Sequence, residues 1–185
     1  MRGTKMLGFG GPSKVVTDLI QRAKTDPEAM NLLAERYFKG DGVPKDIKKA
    51  IPLFEAAVDA NNTQAMMNLG FLCKKAIGMN RDTVRAKDLF EKAAALGETE
   101  AYGALAETYL FGMGRVKQDL NLGLKNVEKL IDIGQVDEVA AMLGLPVDML
   151  KQLCALNVAT NGNHPVLQQV AQRLAAAQPS EYMDE

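Results

Sequence analysis

The sequence predicts an all-α protein made of stacked helical hairpins, and three observations carry that prediction. Residues recur at an offset of 36: Ala29, Ala65 and Ala101 are in register, as are Leu33, Leu69 and Leu105, and then Gly42, Gly78 and Gly114. Within each unit Ala, Leu and an aromatic or Cys stand at i, i+4 and i+8, which is one face of a helix. A Gly-bearing turn and an Asp then lead into a second apolar stripe, in which Asp46 matches Asp82, Ala50 matches Ala86, Phe54 matches Phe90 and Ala57 matches Ala93. The third unit gains one residue after Gly114, so that Gly97 is answered by Gly134 at 37. The units are therefore 29–64, 65–100 and 101–137, set between flanks at 1–28 and 138–185.

Each element has a local reason. Residues 1–28 comprise a flexible Gly-rich leader and a capping helix from Ser13 to Thr25, with Val15, Val16, Leu19, Ile20 and Ala23 on one stripe. Asp26-Pro27 opens the first repeat helix with a capping carboxylate and a proline at the first helical position, where its missing N–H costs nothing. Gly40-x-Gly42 supplies the positive φ of a tight turn. Asp46 caps a second helix that runs to Asn61, and Pro52 within it removes one hydrogen bond and predicts a bend. The same grammar returns from Asp82 to Gly97. After 137 come three more helices, Glu138–Leu143, Pro146–Asn157 and Pro165–Ala177, separated by Gly144-Leu145 and Asn161-Gly162-Asn163. The last turns Val166, Leu167, Val170, Ala171 and Leu174 inward and Gln168, Gln169, Gln172 and Arg173 outward. Such flanking helices are needed because a repeat array exposes apolar faces at both ends. The chain ends in an acidic tail, Glu181-Tyr182-Met183-Asp184-Glu185, expected to be loose after Gln178.

The combined spacing Ala29-x-x-x-Leu33-Ala34-x-x-Tyr37-x-x-Gly40-x-Gly42-Val43-x-x-Asp46-x-x-Lys49-Ala50-x-x-x-Phe54-x-x-Ala57 resembles the Sel-one-like repeat, a relative of the tetratricopeptide repeat. Ala101-x-x-x-Leu105-Ala106-x-x-Tyr109-x-x-Gly112-x-Gly114 repeats its first half. The second unit departs from the pattern with Cys73 at the Tyr position and Ala76 for the first turn Gly, and the third lacks Asp and Ala at the expected spacing and places Val127 where an aromatic is usual. The resemblance implies a right-handed αα-hairpin solenoid used as an adaptor or scaffold for other proteins. It implies no substrate and no cofactor. Because related repeats turn their first helices toward a concave groove, it also places partner-binding residues: Asn31, Glu35, Phe38 and Lys39 in the first unit, Met67, Asn68, Phe71, Lys74 and Lys75 in the second, and Glu107, Leu110 and Phe111 in the third. Exposure of at least two of Phe38, Phe71 and Phe111 in the groove stands beside the reading that all three are core. Asn68, Lys74 and Lys75 would hold a peptide backbone or acidic groups.

Composition narrows the function classes. With 47% hydrophobic and 24% charged residues the chain is neither disordered nor membrane-embedded. Its net charge of -1 offers no overall attraction to nucleic acid or anionic lipid. Residues 1–24 carry Arg2, Lys5, Lys14, Arg22 and Lys24 against Asp18, whereas residues 135–185 are acidic. Arg2 and Lys5 are followed by Gly8-Phe9-Gly10-Gly11-Pro12 where a signal peptide needs an apolar run, and no stretch reaches the ~20 apolar residues of a membrane span. The expected location is the cytoplasm. Cys73 and Cys154 stand 81 positions apart with no metal-type or redox-type spacing and read as small buried hydrophobes.

Chemistry finds little purchase. The segment from Gly8 to Lys14 fails as a phosphate loop because Ser13 precedes Lys14 and no strand leads into it. His164 is the single His, between Asn163 and Pro165, and can neither pair as a metal ligand nor form a nucleophile–base couple. Glu35, Glu107 and Glu128 form no evident catalytic pair. The expectation is therefore a non-enzyme without metal that binds another protein or peptide. Residues 138–157 supply an alternative, since their Ala, Gly and Leu spacing is that of a helix-turn-helix, with Val147, Asp148, Lys151 and Gln152 facing DNA. Asp137, Glu138 and Asp148 against Lys151 alone make phosphate attraction poor. Self-assembly through the amphipathic C-terminal helix is the other alternative.

Overall fold

The structure is a computed structural model that describes residues 14–176; the expected leader at 1–13, its phosphate-loop candidate and the acidic tail lie outside the described residues. Among the described residues ten helices follow one another: α1 Lys14–Arg22, α2 Pro27–Lys39, α3 Ile47–Asp59, α4 Thr63–Lys75, α5 Thr83–Ala95, α6 Glu100–Phe111, α7 Leu120–Asp132, α8 Asp137–Leu143, α9 Val147–Thr160 and α10 Pro165–Ala176. No strand occurs among the described residues, and the fold class is the all-α hairpin repeat that the sequence predicts. The chain divides into two compact units, 1–65 and 66–185, with the division inside α4.

In the first unit the helix boundaries follow the chemistry of their ends. Asp26 is extended and its carboxylate accepts from the Glu28 N–H at 3.0 Å, with Pro27 at the first helical position. The helix closes at Gly40, whose φ of 81° lets its N–H reach the Arg36 carbonyl at 2.7 Å. Asp46 caps α3 by accepting from the Lys49 N–H at 3.1 Å. Pro52 is exposed, as is Lys48 one turn before it, and α3 runs on through the proline to Asp59. Leu19, Ala23, Ala29 and Leu33 form one core cluster of this unit, with Ile20, Met30, Tyr37 and Leu53 packed against them, and Ala50, Phe54 and Ala57 of α3 are buried as well.

The second unit holds the α4/α5 and α6/α7 hairpins and the three closing helices. Asp82 and Asp119 cap α5 and α7 by accepting from the N–H of Arg85 at 3.0 Å and of Leu122 at 2.9 Å. Asp46, Asp82 and Asp119, the caps of the second helix of each hairpin, also donate their own N–H back to the end of the preceding helix. Asp46 reaches the Tyr37 carbonyl at 2.8 Å, Asp82 that of Cys73 at 3.1 Å, and Asp119 that of Tyr109 at 2.8 Å. Helices approach closely where a glycine allows it: a Cβ on Gly70 would lie 2.5 Å from the Phe90 ring, and one on Gly123 would lie 2.6 Å from Leu110 Cδ2. At one end Leu110, Phe111, Leu124, Val127, Leu150, Leu153 and Leu167 share a core that α8, α9 and α10 close. Gln118 Nε2 donates to the Leu110 carbonyl at 2.7 Å and to the Ala171 carbonyl at 2.9 Å, tying the third turn to α10. Of the stripe expected to face inward, Leu167 is buried and Val170 and Leu174 pack against this core, whereas Val166, at the start of α10, is exposed.

Candidate functional site

In the second unit, α4, α6 and α8 border a cavity of about 640 Å³ that opens to solvent. Its lining follows from helical spacing. Met67 and Phe71 stand four apart on α4, Glu100, Gly103, Ala104 and Glu107 share one face of α6, and Val139 and Met142 face inward from α8. Leu130, near the end of α7, completes the apolar floor with Met67, Ala104 and Val139, all of them buried. Phe71 and Met142 rise from that floor and remain 40% and 41% exposed. The Phe71 ring is nevertheless fixed, tilted 56° against Phe90 with centroids 5.2 Å apart. Gly103 leaves the wall open, since a Cβ there would meet nothing within 4 Å.

The electrostatics of the opening have one sign. Glu100, Glu107, Asp137 and Glu138 line it, with Gln135, and no Lys or Arg does. Glu107 accepts a hydrogen bond from Lys74 Nζ at 2.6 Å, and that lysine is only 3% exposed, so its cation is turned inward to this carboxylate. Glu100, Asp137 and Glu138 are exposed and make no ion pair among the described residues.

The twelve residues expected on a partner surface divide accordingly. Met67, Phe71 and Glu107 line the cavity. Asn68 is half-buried and Lys75 exposed, and neither belongs to the lining. Lys74, expected to offer its charge to a ligand, is buried in its pair with Glu107. Leu110 and Phe111 are core residues, a correction to the expected groove: Leu110 is fully buried against Gly123, and Phe111 sits in the cluster that α8 to α10 close. With Phe111 buried and Phe38 half-buried, Phe71 is the one exposed ring of the three. In the first unit Asn31 is buried and its side-chain amide donates to Glu35 at 3.1 Å, while Glu35 also pairs with Lys39 at 2.9 Å. Phe38 lies beneath Lys45 Nζ, 5.8 Å from the ring centroid. A shallower pocket of about 270 Å³ is lined there by residues including Glu28, Asn31 and Leu32.

The other groups are structural in their surroundings. His164 Nδ1 accepts from the Val166 N–H at 3.2 Å and so caps α10. Burial raises the Cys154 thiol to about 11, helped by Glu128, which keeps it from acting as a thiolate nucleophile at neutral pH. Cys73 is buried beside Met79, with the two sulfurs 3.4 Å apart. Burial and the hydrogen bond that Tyr109 Oη donates to Glu91 raise the Tyr109 phenol to about 12. No cluster of three or more metal-ligating side chains occurs among the described residues. Helices α8 and α9 meet at a 92° bend, as helix-turn-helix geometry would require, but Lys151, the sole cation there, faces Asp148 at 3.9 Å. No single helix among the described residues is long and apolar enough to cross a membrane.

Comparison with known proteins agrees with this architecture. The Sel1 repeat family matches at residues 27–62, 63–98 and 99–134. Relatives include an uncharacterised protein of Neisseria meningitidis, 30% identical over 44% of this chain and 18% of that one. Chitin synthase regulatory factor 3 of Schizosaccharomyces pombe is 26% identical over 65% of this chain and 13% of its own length. Protein sel-1 homolog 2 of Mus musculus is 27% identical over 67% and 18%. The chain thus spans under a fifth of the length of these relatives. Among solved structures, a Sel1 repeat protein from Oxalobacter formigenes superposes with a TM-score of 0.58 at 28% identity, covering 65% of this chain and 90% of that one. A protective antigen of uropathogenic Escherichia coli with an SLR fold superposes with a TM-score of 0.63 at 20% identity, covering 88% and 40%.

Proposed function

Because the chain belongs to the Sel1 repeat family, whose members generally mediate protein–protein interaction, we propose that it is a non-catalytic adaptor that receives a partner segment in the cavity between α4, α6 and α8. The observation that carries this reading is Phe71, a large apolar ring held against Phe90 yet 40% exposed above a buried floor. An aromatic left half in water beside an apolar recess favours any ligand that covers it, and its fixed position means that little further ordering is lost on binding. The cytoplasm is the compartment we assign to this role, since Cys73 and Cys154 are buried as thiols and not joined in a disulfide, as in a reducing setting.

The test is capture by the full chain immobilised on resin, with a Phe71→Ala, Met142→Ala double variant alongside. Specific partners should be lost from the variant by tenfold or more, about 1.4 kcal/mol, while its melting temperature stays within a few degrees. Undiminished capture by a folded double variant would place the interface elsewhere and refute the reading.

A further inference from the structure

We infer that the cavity between α4, α6 and α8 selects a basic partner: a peptide segment that seats one or more apolar side chains on the Met67, Ala104, Leu130 and Val139 floor and presents Lys or Arg to the rim. This deepens the protein-binding reading above and rests on it. Three observations converge. The rim is acidic without relief, because Glu100, Asp137 and Glu138 lack ion pairs and no lining residue is basic. The α4 cation that reaches a lining carboxylate, Lys74, is buried in its pair with Glu107 and is not offered to an acidic ligand, the reverse of what the run Lys74-Lys75 suggests in sequence. Gly103 faces the opening where the repeat offset places Met67 on α4, and no neighbour demands its lack of a side chain, whereas Gly70 and Gly123 are held to glycine by Phe90 and Leu110. A bare backbone facing an acidic, apolar-floored opening leaves room for another chain to come close.

The first-turn positions of Glu100, Asp137 and Glu138 suit the positive helix ends there, which accounts for each carboxylate singly. It does not account for their meeting at one opening with no counter-charge. A cationic segment supplies that counter-charge, and its apolar residues cover Phe71 and Met142.

The test is a random peptide library displayed on phage, selected against the full chain and counter-selected against a Gly103→Trp chain, whose indole fills the opening where a Cβ meets no neighbour. Met142→Arg serves as a second blocked chain in case the indole disturbs α6. The expected result is enrichment of peptides with an apolar residue flanked by Lys or Arg. Their synthetic forms should bind at least tenfold more weakly to a Glu100→Gln, Asp137→Asn, Glu138→Gln chain and lose affinity with added salt. Enriched peptides that are neutral or acidic, yet lost on both blocked chains, would keep the docking role and overturn the charge selectivity. Peptides that bind the blocked chains equally well, or no enrichment at all, would overturn both. A chain that sediments as a dimer, and as a monomer after Gly103→Trp, would seat a second copy in the cavity and also overturn the inference.

Discussion

Replacing a glycine by alanine should change stability in opposite directions at two helical positions of the second unit. At Gly103 the added methyl meets nothing within 4 Å, so the variant keeps only the backbone advantage of alanine, about 0.5–1 kcal/mol. At Gly123 the same methyl would stand 2.6 Å from Leu110 Cδ2, 2.7 Å from its Cγ and 3.1 Å from its backbone nitrogen. Leu110 is fully buried and its backbone cannot swing aside, so α6 and α7 must separate. Overpacking of this kind costs about 1–3 kcal/mol, which exceeds the helical gain. Gly103→Ala should therefore melt about 1–4 °C above the unaltered chain and Gly123→Ala several degrees below it. Thermal unfolding followed by circular dichroism, with urea titration as a check, reads both. A lower melting temperature for Gly103→Ala, or a higher one for Gly123→Ala, would refute the assignment of open space to one and close helix contact to the other.

Three further outcomes follow from the structure. Ala76 adopts a φ of 55° where the other units place glycine, so Ala76→Gly should relieve left-handed strain and raise stability by about 0.5–1 kcal/mol after the entropy of the new glycine is counted, as read by urea unfolding. Asp46→Ala should lower stability by about 1 kcal/mol, because the Lys49 N–H loses its acceptor, and Asp46→Asn should restore most of it. Tyr109 keeps its proton to about pH 12 in the folded chain against an ordinary phenol value of 10.0, so the unfolded state loses this proton first. Its contribution is whole below pH about 10 and is lost as pH rises toward about 12, which Tyr109→Phe should flatten in melting curves across that window.

The hairpins were legible because their signals are local and repeated. The Asp caps of the first two units, the apolar stripes and the turn glycines recur at one spacing and answer to helix ends or buried faces in the structure, whereas the third cap, Asp119, stands one residue past that spacing and does not follow from it. The cavity was only partly legible. Met67, Phe71 and Glu107 lie on the repeat's first helices and follow the offset, but Asp137, Glu138, Val139 and Met142 come from α8, which repeats nothing. Leu110 and Phe111 misled for a different reason. Helix α6 is apolar on nearly every side, so periodicity names no outward face, and α7 and α10 both pack on it. The signal available in sequence was Gly103 itself, a glycine within a helix at the register of Asn31 and Met67.

The double attachment of each capping aspartate has a consequence for how such chains change length. Backbone N–H and side chain of one residue clip both helices of a hairpin together, at the far end of the turn. From Tyr37 to Asp46 and from Cys73 to Asp82 the clip spans nine positions, and from Tyr109 to Asp119 it spans ten, with the same hydrogen bond made at 2.8 to 3.1 Å. The surplus residue is taken up inside the turn, where Met113 and Val116 bridge to one another. Loop closure grows only slowly with length, by about 0.6 kcal/mol per doubling, so an inserted segment between the clipped ends would leave the helices in register. The first two turns, exposed or half-buried along their length, are graft sites: a foreign loop, an epitope or a reporter placed there would be displayed on a frame that feels its size only weakly.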